Sequence, residues 1–138
     1  MFEKILVAVD RSEHSERAVD VACDLARLSG AQVLVVHVKK VLLGISGDVF
    51  DAEDESEVGS LLEKTALRFE EIGVPVSVQV RTGETGRIAH QIVQAAEEFG
   101  ADAIVMGSRG RSMLSAVALG SVAQGVLHLA TRRVVVVH

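Results

Sequence analysis

Five short segments rich in β-branched residues, separated by longer segments of helical periodicity, constrain the fold of this chain more than any other feature. The first segments are Ile5–Val9 and Gln32–Val38, and both are almost continuously apolar. Runs of this kind are typical of strands covered on both faces of a parallel sheet. The three remaining strand-like segments are Val74–Arg81, Ala103–Met106 and Val134–Val137.

Apolar residues recur at helical spacing between these segments. The first helix is predicted from Glu13 to about Ser29, with Ser12 as its N-cap and Gly30 as its end. Further helices are predicted over 55–72, 86–99 and 121–130. Strands that alternate with helices predict an α/β fold. We expect a single doubly wound five-stranded parallel sheet in the order 3-2-1-4-5, Rossmann-like, with helices on both faces.

Two segments depart from this simple alternation. Val74–Arg81 alternates apolar and polar residues and has Pro75 near its start, which predicts an edge strand. Residues 39–54 show no periodicity and predict a long, mobile connection. With 138 residues, the chain fits one domain, residues 1–138.

Composition excludes several classes of partner. The formal net charge is −5 and Trp and Tyr are absent, which argues against nucleic-acid binding. No apolar run reaches the roughly 18 residues of a membrane-spanning helix, so we expect no membrane insertion. Cys23 is the only cysteine and cannot form an internal disulfide, which favours a cytoplasmic location.

The most informative motif is Gly107-Ser108-Arg109-Gly110, followed after nine intervening residues by Gly120-Ser121 at a predicted helix start. Glycines allow backbone amides to approach phosphate oxygens, and the N-terminus of a helix attracts anions. An ordinary glycine loop followed by a helix cap is the alternative. Residues 103–138 carry four arginines (Arg109, Arg111, Arg132 and Arg133) and no acid, which favours an anionic ligand.

Asp10 ends the first strand and has two interpretations. Its carboxylate suits ribose hydroxyls or a divalent cation on a polyphosphate, and it equally suits an Asp/Ser turn that starts the first helix. Six acids lie within residues 48–57. A solvated loop is the preferred interpretation of this run, and a divalent-cation site is the alternative. The five histidines show no zinc-ligand spacing, so we expect structural or exposed roles for them.

Several catalytic motifs are absent. The chain has no P-loop sequence and no nucleophile elbow, and the turn after the first strand lacks the glycines of a dinucleotide fingerprint. The third strand ends in Arg81-Thr82-Gly83, where a phosphoacceptor receiver domain would carry an acid. We therefore assign no catalytic residue and expect slow nucleotide hydrolysis at most.

These residues resemble the universal stress protein family along nearly the whole chain. The resemblance rests on Ile5–Asp10, the Ser12–Ser15 turn, His37-Val38 and Ala101–Gly110. The family's nucleotide signature, G-x-x-G-x9-G-[ST], is met by the following residues: Gly107, Gly110, Gly120 and Ser121.

The resemblance to the ATP-binding branch of this family implies a set of nucleotide contacts. Those near ribose and base are Ala8, Val9, Asp10 and Val38. Those near ribose and phosphates are Met106, Gly107, Arg109 and Gly110, and those at the distal phosphates are Gly120, Ser121 and Val122. The implied ligand is ATP, alone or with Mg²⁺ or Mn²⁺ held through Asp10, and AMP or another adenine nucleotide is the alternative.

The resemblance further implies a nucleotide-dependent regulatory protein of the stress response, a protein partner that it regulates, and a homodimer formed through Val134–Val137. A module that binds no nucleotide and a slow phosphohydrolase are the alternatives. The chain departs from the family pattern at Arg11, where a glycine is usual, and at Arg132-Arg133, where Cys-Pro is common. Arg11 would either crowd the pocket or reach a phosphate.

Overall fold

The computed structural model describes residues 2–47, 49–51, 53–109 and 119–138. The described strands all belong to one sheet, and they are β1 (Lys4–Ala8), β2 (Gln32–Leu43), β3 (Val49–Asp51), β4 (Val76–Glu84), β5 (Ala103–Gly107) and β6 (Arg133–Val137). The helices are α1 (Glu13–Ser29), α2 (Glu55–Glu71), α3 (Ile88–Phe99) and α4 (Ser121–Leu129).

Five of these strands are parallel and confirm the predicted topology. β1 pairs with β2 on one side and with β5 on the other, β4 pairs with β2, and β6 pairs with β5. When only the five parallel strands are numbered along the chain, the observed order β4-β2-β1-β5-β6 becomes 3-2-1-4-5, which is the predicted order. The winding direction reverses between β1 and β5, which is where ligands bind in sheets of this kind.

The helices cover the sheet on both faces, in three layers. Ile5 and Val7 of β1 are fully buried against α1 and α2, whereas Leu6 and Ala8 face α3 and α4. Alternation along a strand sends successive side chains to opposite faces. Each fully buried Val, Leu or Ile contributes about 1.5–3 kcal/mol, so the two apolar cores fix the helices on the sheet.

The ends of α1 follow the sequence prediction. The Ser12 hydroxyl accepts a hydrogen bond from the Ser15 N–H at 3.1 Å. Gly30 has φ 71°, a left-handed conformation that glycine adopts without strain. Because α1 starts directly after β1, its first turn lies at the carboxyl edge of the sheet.

The predicted irregular connection over 39–54 is partly wrong. β2 continues to Leu43, because Lys39–Val41 pair with β4 and Val41–Leu43 pair with the antiparallel strand β3. Backbone pairing on both sides extends the strand although its sequence becomes charged. In the described part of the chain β4 pairs only with β2, which agrees with its predicted edge position.

Candidate functional site

Three apolar residues of the predicted site share one face of the sheet. Ala8 is the last residue of β1, Val38 lies within β2, and Met106 is the last but one residue of β5. All three belong to the core beneath α3 and α4. Val122, at the start of α4, packs against the same core. Val9 lies on the opposite face with α1. The carboxyl edge thus carries a cluster of buried apolar side chains that packs against the first turn of α4.

Asp10 adopts the turn geometry that starts α1. Its Oδ1 accepts the Ser12 N–H at 2.7 Å, and its own N–H donates to the Ser15 hydroxyl at 2.9 Å. Oδ2 has no hydrogen-bond partner among the described residues. The two interpretations of Asp10 are therefore compatible, since one carboxylate oxygen holds the turn and the other can accept a ligand donor.

The two glycine-bearing segments meet at the carboxyl end of β5. The Gly120 N–H donates to the Ser108 carbonyl at 2.7 Å, and the Ser108 N–H donates to the Val137 carbonyl at 2.7 Å. Ser108 is 1% exposed, and its buried hydroxyl has no partner in the described part of the chain. Gly110 and Arg111 lie outside the described residues.

The first turn of α4 presents backbone donors. Gln124 makes the first intrahelical bond, to the Gly120 carbonyl at 3.0 Å, and no described side chain caps the helix. The amides of Ser121, Val122 and Ala123 precede that bond and have no intrahelical acceptor. Such amides, with the helix dipole, favour a negatively charged group.

Gly107 has a role that sequence reasoning missed. A Cβ at this position would lie 2.9 Å from the His14 carbonyl carbon and 3.0 Å from the Ser15 nitrogen. Both neighbours are backbone atoms of α1 and cannot rotate away. Glycine at 107 therefore allows the start of α1 to pack on the end of β5.

Arg109 lies beside His14. Its Nη2 is 2.7 Å from His14 Nε2, and Arg17 Nη2 is 3.0 Å from His14 Nδ1. Desolvation, followed by the charges of Arg17 and Arg109, lowers the pKa of His14 below its usual value. Guanidinium groups only donate, so the arrangement favours a neutral imidazole.

Arg11 has a partner within the chain. Its guanidinium forms an ion pair with Glu57 on α2, which directs it along the α1 and α2 side of the sheet. A glycine at this position, as in the family pattern, would leave Glu57 without this partner.

Glu53, Glu55 and Glu57, here called the acidic segment, each lie within ion-pair distance of a basic side chain. Besides the Arg11 pair, Glu53 Oε2 lies 2.5 Å from His37 Nε2, and Glu55 Oε1 lies 3.8 Å from Lys39 Nζ. The His37 ring also donates from Nδ1 to the Val9 carbonyl at 2.7 Å. Asp48 lies outside the described residues. Of these three acids, Glu53 is only 21% exposed and departs from the solvated interpretation, whereas Glu57 and Glu55, on α2, are 51% and 86% exposed and agree with it.

A groove of about 640 Å³ runs between α1 and α2. It contains Asp10 and Arg11 but none of the other predicted nucleotide contacts. Ion pairs join its two walls at Arg11–Glu57 and Arg68–Asp20. Nowhere in the described ranges do three His, Cys, Asp or Glu side chains converge on a possible metal position.

The chain matches a known protein family along its whole length. The family model of the universal stress protein family matches residues 1–138. The chain is similar to the universal stress protein YxiE of Bacillus subtilis, with 35% identity over 150 residues, covering 99% of each chain.

Solved structures from Archaeoglobus fulgidus share the fold. A universal stress protein of this organism aligns with 30% identity, a TM-score of 0.77 and full coverage of both chains. A universal stress protein from the same organism in complex with dAMP aligns with 29% identity and a TM-score of 0.75, covering 99% of this chain and 98% of that one. The sequence, the strand order and these relatives together establish that this chain belongs to the universal stress protein family.

Proposed function

We propose that this protein binds an adenine nucleotide at the carboxyl edge of β1, β2 and β5. ATP is the first candidate, with or without Mg²⁺ or Mn²⁺, and AMP is the second. The observation that carries the proposal is the 2.7 Å hydrogen bond from Gly120 to Ser108, because it brings the uncapped start of α4 next to the end of β5. The dAMP complex of the Archaeoglobus relative supports the choice of an adenine ligand.

The site offers a different surface to each part of a nucleotide. Val38, Ala8 and Met106 supply the apolar wall that suits a purine ring. Oδ2 of Asp10 accepts a ribose hydroxyl or approaches a cation bound to the phosphates. The amides of Ser121–Ala123 receive phosphate oxygens, since they lack intrahelical acceptors. Gly110 and Arg109 would complete the phosphate side.

We propose a regulatory rather than a catalytic role. Both histidines at this edge have a neighbour at each ring nitrogen: His14 accepts from Arg109 at Nε2 and has the Arg17 guanidinium 3.0 Å from Nδ1, and His37 contacts the Val9 carbonyl and Glu53. Neither has a ring nitrogen available as a general base in this arrangement. Any hydrolysis would be slow and would depend on phosphate electrostatics. Nucleotide occupancy would instead change what the protein presents to a partner protein in the cytoplasm, where the free thiol of Cys23 stays reduced.

The proposal is tested by calorimetric titration with ATP, AMP and GTP, using Ser121→Asp as the informative variant. An acid in the first turn stabilises a helix but repels phosphate, so this variant should stay folded and lose at least about tenfold in affinity, which is 1.4 kcal/mol. Ser60→Asp, on the exposed face of α2, is the charge-matched control and should bind like wild type. A wild-type protein that binds no nucleotide at millimolar concentration would favour a nucleotide-free interaction module.

We further propose that β6 forms a homodimer by pairing with the β6 of a second copy. The described part of the sheet ends at β6, which pairs only with β5, and Val134–Val137 are half-buried. The Val137 carbonyl accepts from Ser108 on the β5 side, so alternation directs the N–H and C=O groups of Val134 and Val136 to the open edge. Unpaired strand edges of this kind favour pairing with another chain.

Val136→Pro tests this dimer. Proline removes the outward N–H without removing a β5–β6 hydrogen bond, so light scattering after size exclusion should show a folded monomer. Val136→Ala, which keeps the N–H, should remain dimeric. A wild-type monomer at micromolar concentration would contradict the proposed dimer but not the nucleotide site.

A further inference from the structure

Gly125 and Ala89 mark a point where α3 and α4 approach closely. A Cβ built on Gly125 would lie 2.6 Å from the Ala89 Cβ, whereas carbon atoms in contact are normally about 3.5–4.0 Å apart. Ala89 is 8% exposed, and a methyl group on the backbone has no rotamer by which to move away. The observed packing of these helices therefore requires glycine at position 125.

Glycine is an unfavourable residue for the interior of a helix. Gly125 is the fifth residue of the nine-residue α4, and glycine within a helix is less favourable than alanine. Gly59 in α2 provides a contrast, since a Cβ added there meets nothing within 4 Å. At Gly125, unlike Gly59, the missing side chain has a packing reason.

The contact lies one turn beyond the amides that the proposed site uses. The start of α4 is fixed to β5 by the Gly120 N–H and the Ser108 carbonyl, and the next turn is fixed to α3 by Gly125 and Ala89. Ser121, Val122 and Ala123 lie between these two points. We propose that Gly125 is a positioning residue, which sets the distance of α4 from α3 and so places these amides at the phosphates. This inference rests on the proposed nucleotide site.

A methyl group at position 125 would separate the two helices by about 1 Å to restore normal contact. Because α4 is tied to Ser108 at its start, the movement would tilt the helix or stretch the 2.7 Å bond from Gly120. Val126, fully buried next to Gly125, would leave its place in the core beneath α4. A displacement of 1 Å in a preorganised site reduces function by up to about 100-fold.

Three variants test the proposal: Gly125→Ala, the exchange Ala89→Gly with Gly125→Ala, and the matched control Gly59→Ala. Calorimetric titration with AMP and ATP should show at least about tenfold weaker binding for Gly125→Ala and binding within about twofold of wild type for the exchange, which restores the single methyl group at the contact. Gly59→Ala should bind like wild type. Urea unfolding of the same proteins shows which variants are folded.

Each result is decisive. Unchanged affinity in folded Gly125→Ala, or weak binding in the folded exchange variant, overturns the inference while leaving the proposed function in place. If Gly125→Ala does not fold, the exchange variant alone tests the inference. Binding like wild type supports it, and failure to bind like wild type overturns it. If wild-type protein binds neither nucleotide, the proposed function fails and this inference fails with it.

Discussion

The carboxyl edge of the sheet is built differently on its two sides. Over β1 and β2 the basic side chains Arg11, His37 and Lys39 are each paired with a glutamate of the acidic segment. At the end of β5 and the start of α4 the polar groups include the Arg109 guanidinium, backbone amides without an intrahelical acceptor and the buried Ser108 hydroxyl. The basic groups of the first side thus face the protein's own carboxylates, whereas under the proposed function the donors of the second side receive an external anion.

Under the proposed function, this contrast places the phosphates at α4 and the base over β1 and β2. A phosphate over β1 and β2 would compete with three carboxylates for the same basic groups, whereas a phosphate at α4 meets donors with no intrahelical acceptor. Substitutions on each side of the edge test this contrast.

The largest effect on stability is expected at Gly107. Gly107→Ala places a methyl group against the backbone of His14, and overpacking of this kind costs up to about 3 kcal/mol. Urea unfolding measures the change in the free energy of unfolding. Gly59→Ala, with open space around the added methyl group, should be neutral or stabilising by up to about 1 kcal/mol. An equal free energy of unfolding for Gly107→Ala and Gly59→Ala would contradict the close packing of α1 on β5.

A smaller loss is expected at Glu53, on the opposite side of the edge. His37 is 5% exposed and depends on Glu53 for its second hydrogen bond. Glu53→Ala leaves a buried ring nitrogen without a partner, which costs about 1–2 kcal/mol. The exposed Arg11–Glu57 pair provides the control, because Glu57→Ala removes a surface ion pair worth at most about 1 kcal/mol. A larger loss for Glu57→Ala in urea unfolding would reverse the ranking of these two pairs.

The smallest effect is a pH dependence from His14. The unfolded histidine titrates near pH 6.5, and the pKa of His14 is lower in the folded protein because of desolvation, Arg17 and Arg109. As the pH falls below about 6.5, the His14 ring becomes protonated in the unfolded chain before it becomes protonated in the folded protein. The contribution of His14 to stability is therefore complete above that pH and is lost as the pH falls through its lowered folded pKa.

His14→Gln removes this contribution. Between pH 7.5 and 5.5 the variant should lose less unfolding free energy than wild type, by less than about 1 kcal/mol because the ring is partly solvated. Urea unfolding at the two pH values measures the difference. An equal or larger loss in the variant would contradict the lowered pKa of His14.

Much of the fold follows from the sequence because local signals agree with it. The apolar run Ile5–Val9 and the caps Ser12 and Gly30 predicted β1 and α1 closely. The extension of β2 beyond Val38 was missed, since Lys39 and Lys40 interrupt the apolar run and only pairing with β3 and β4 keeps the strand extended.

The site was only partly predictable. The spacing of Gly107, Gly120 and Ser121 carries a signal that is readable in one sequence. The pairing of Glu57 with Arg11 joins residues 46 positions apart, and no local pattern reveals it. A glycine within a helix hints at close packing, but only the structure identifies Ala89 as the neighbour of Gly125.

Amide chemical-shift mapping with AMP and ATP tests the central claim most directly, because it reports on both sides of the carboxyl edge in one ¹⁵N spectrum. We predict the largest shifts at Ser108 and at the first turn of α4, Ser121–Ala123, with small changes at Arg11 and Glu57. Shifts confined to the groove between α1 and α2, at Ser60 and Lys64, or no shifts at millimolar nucleotide, would contradict the account.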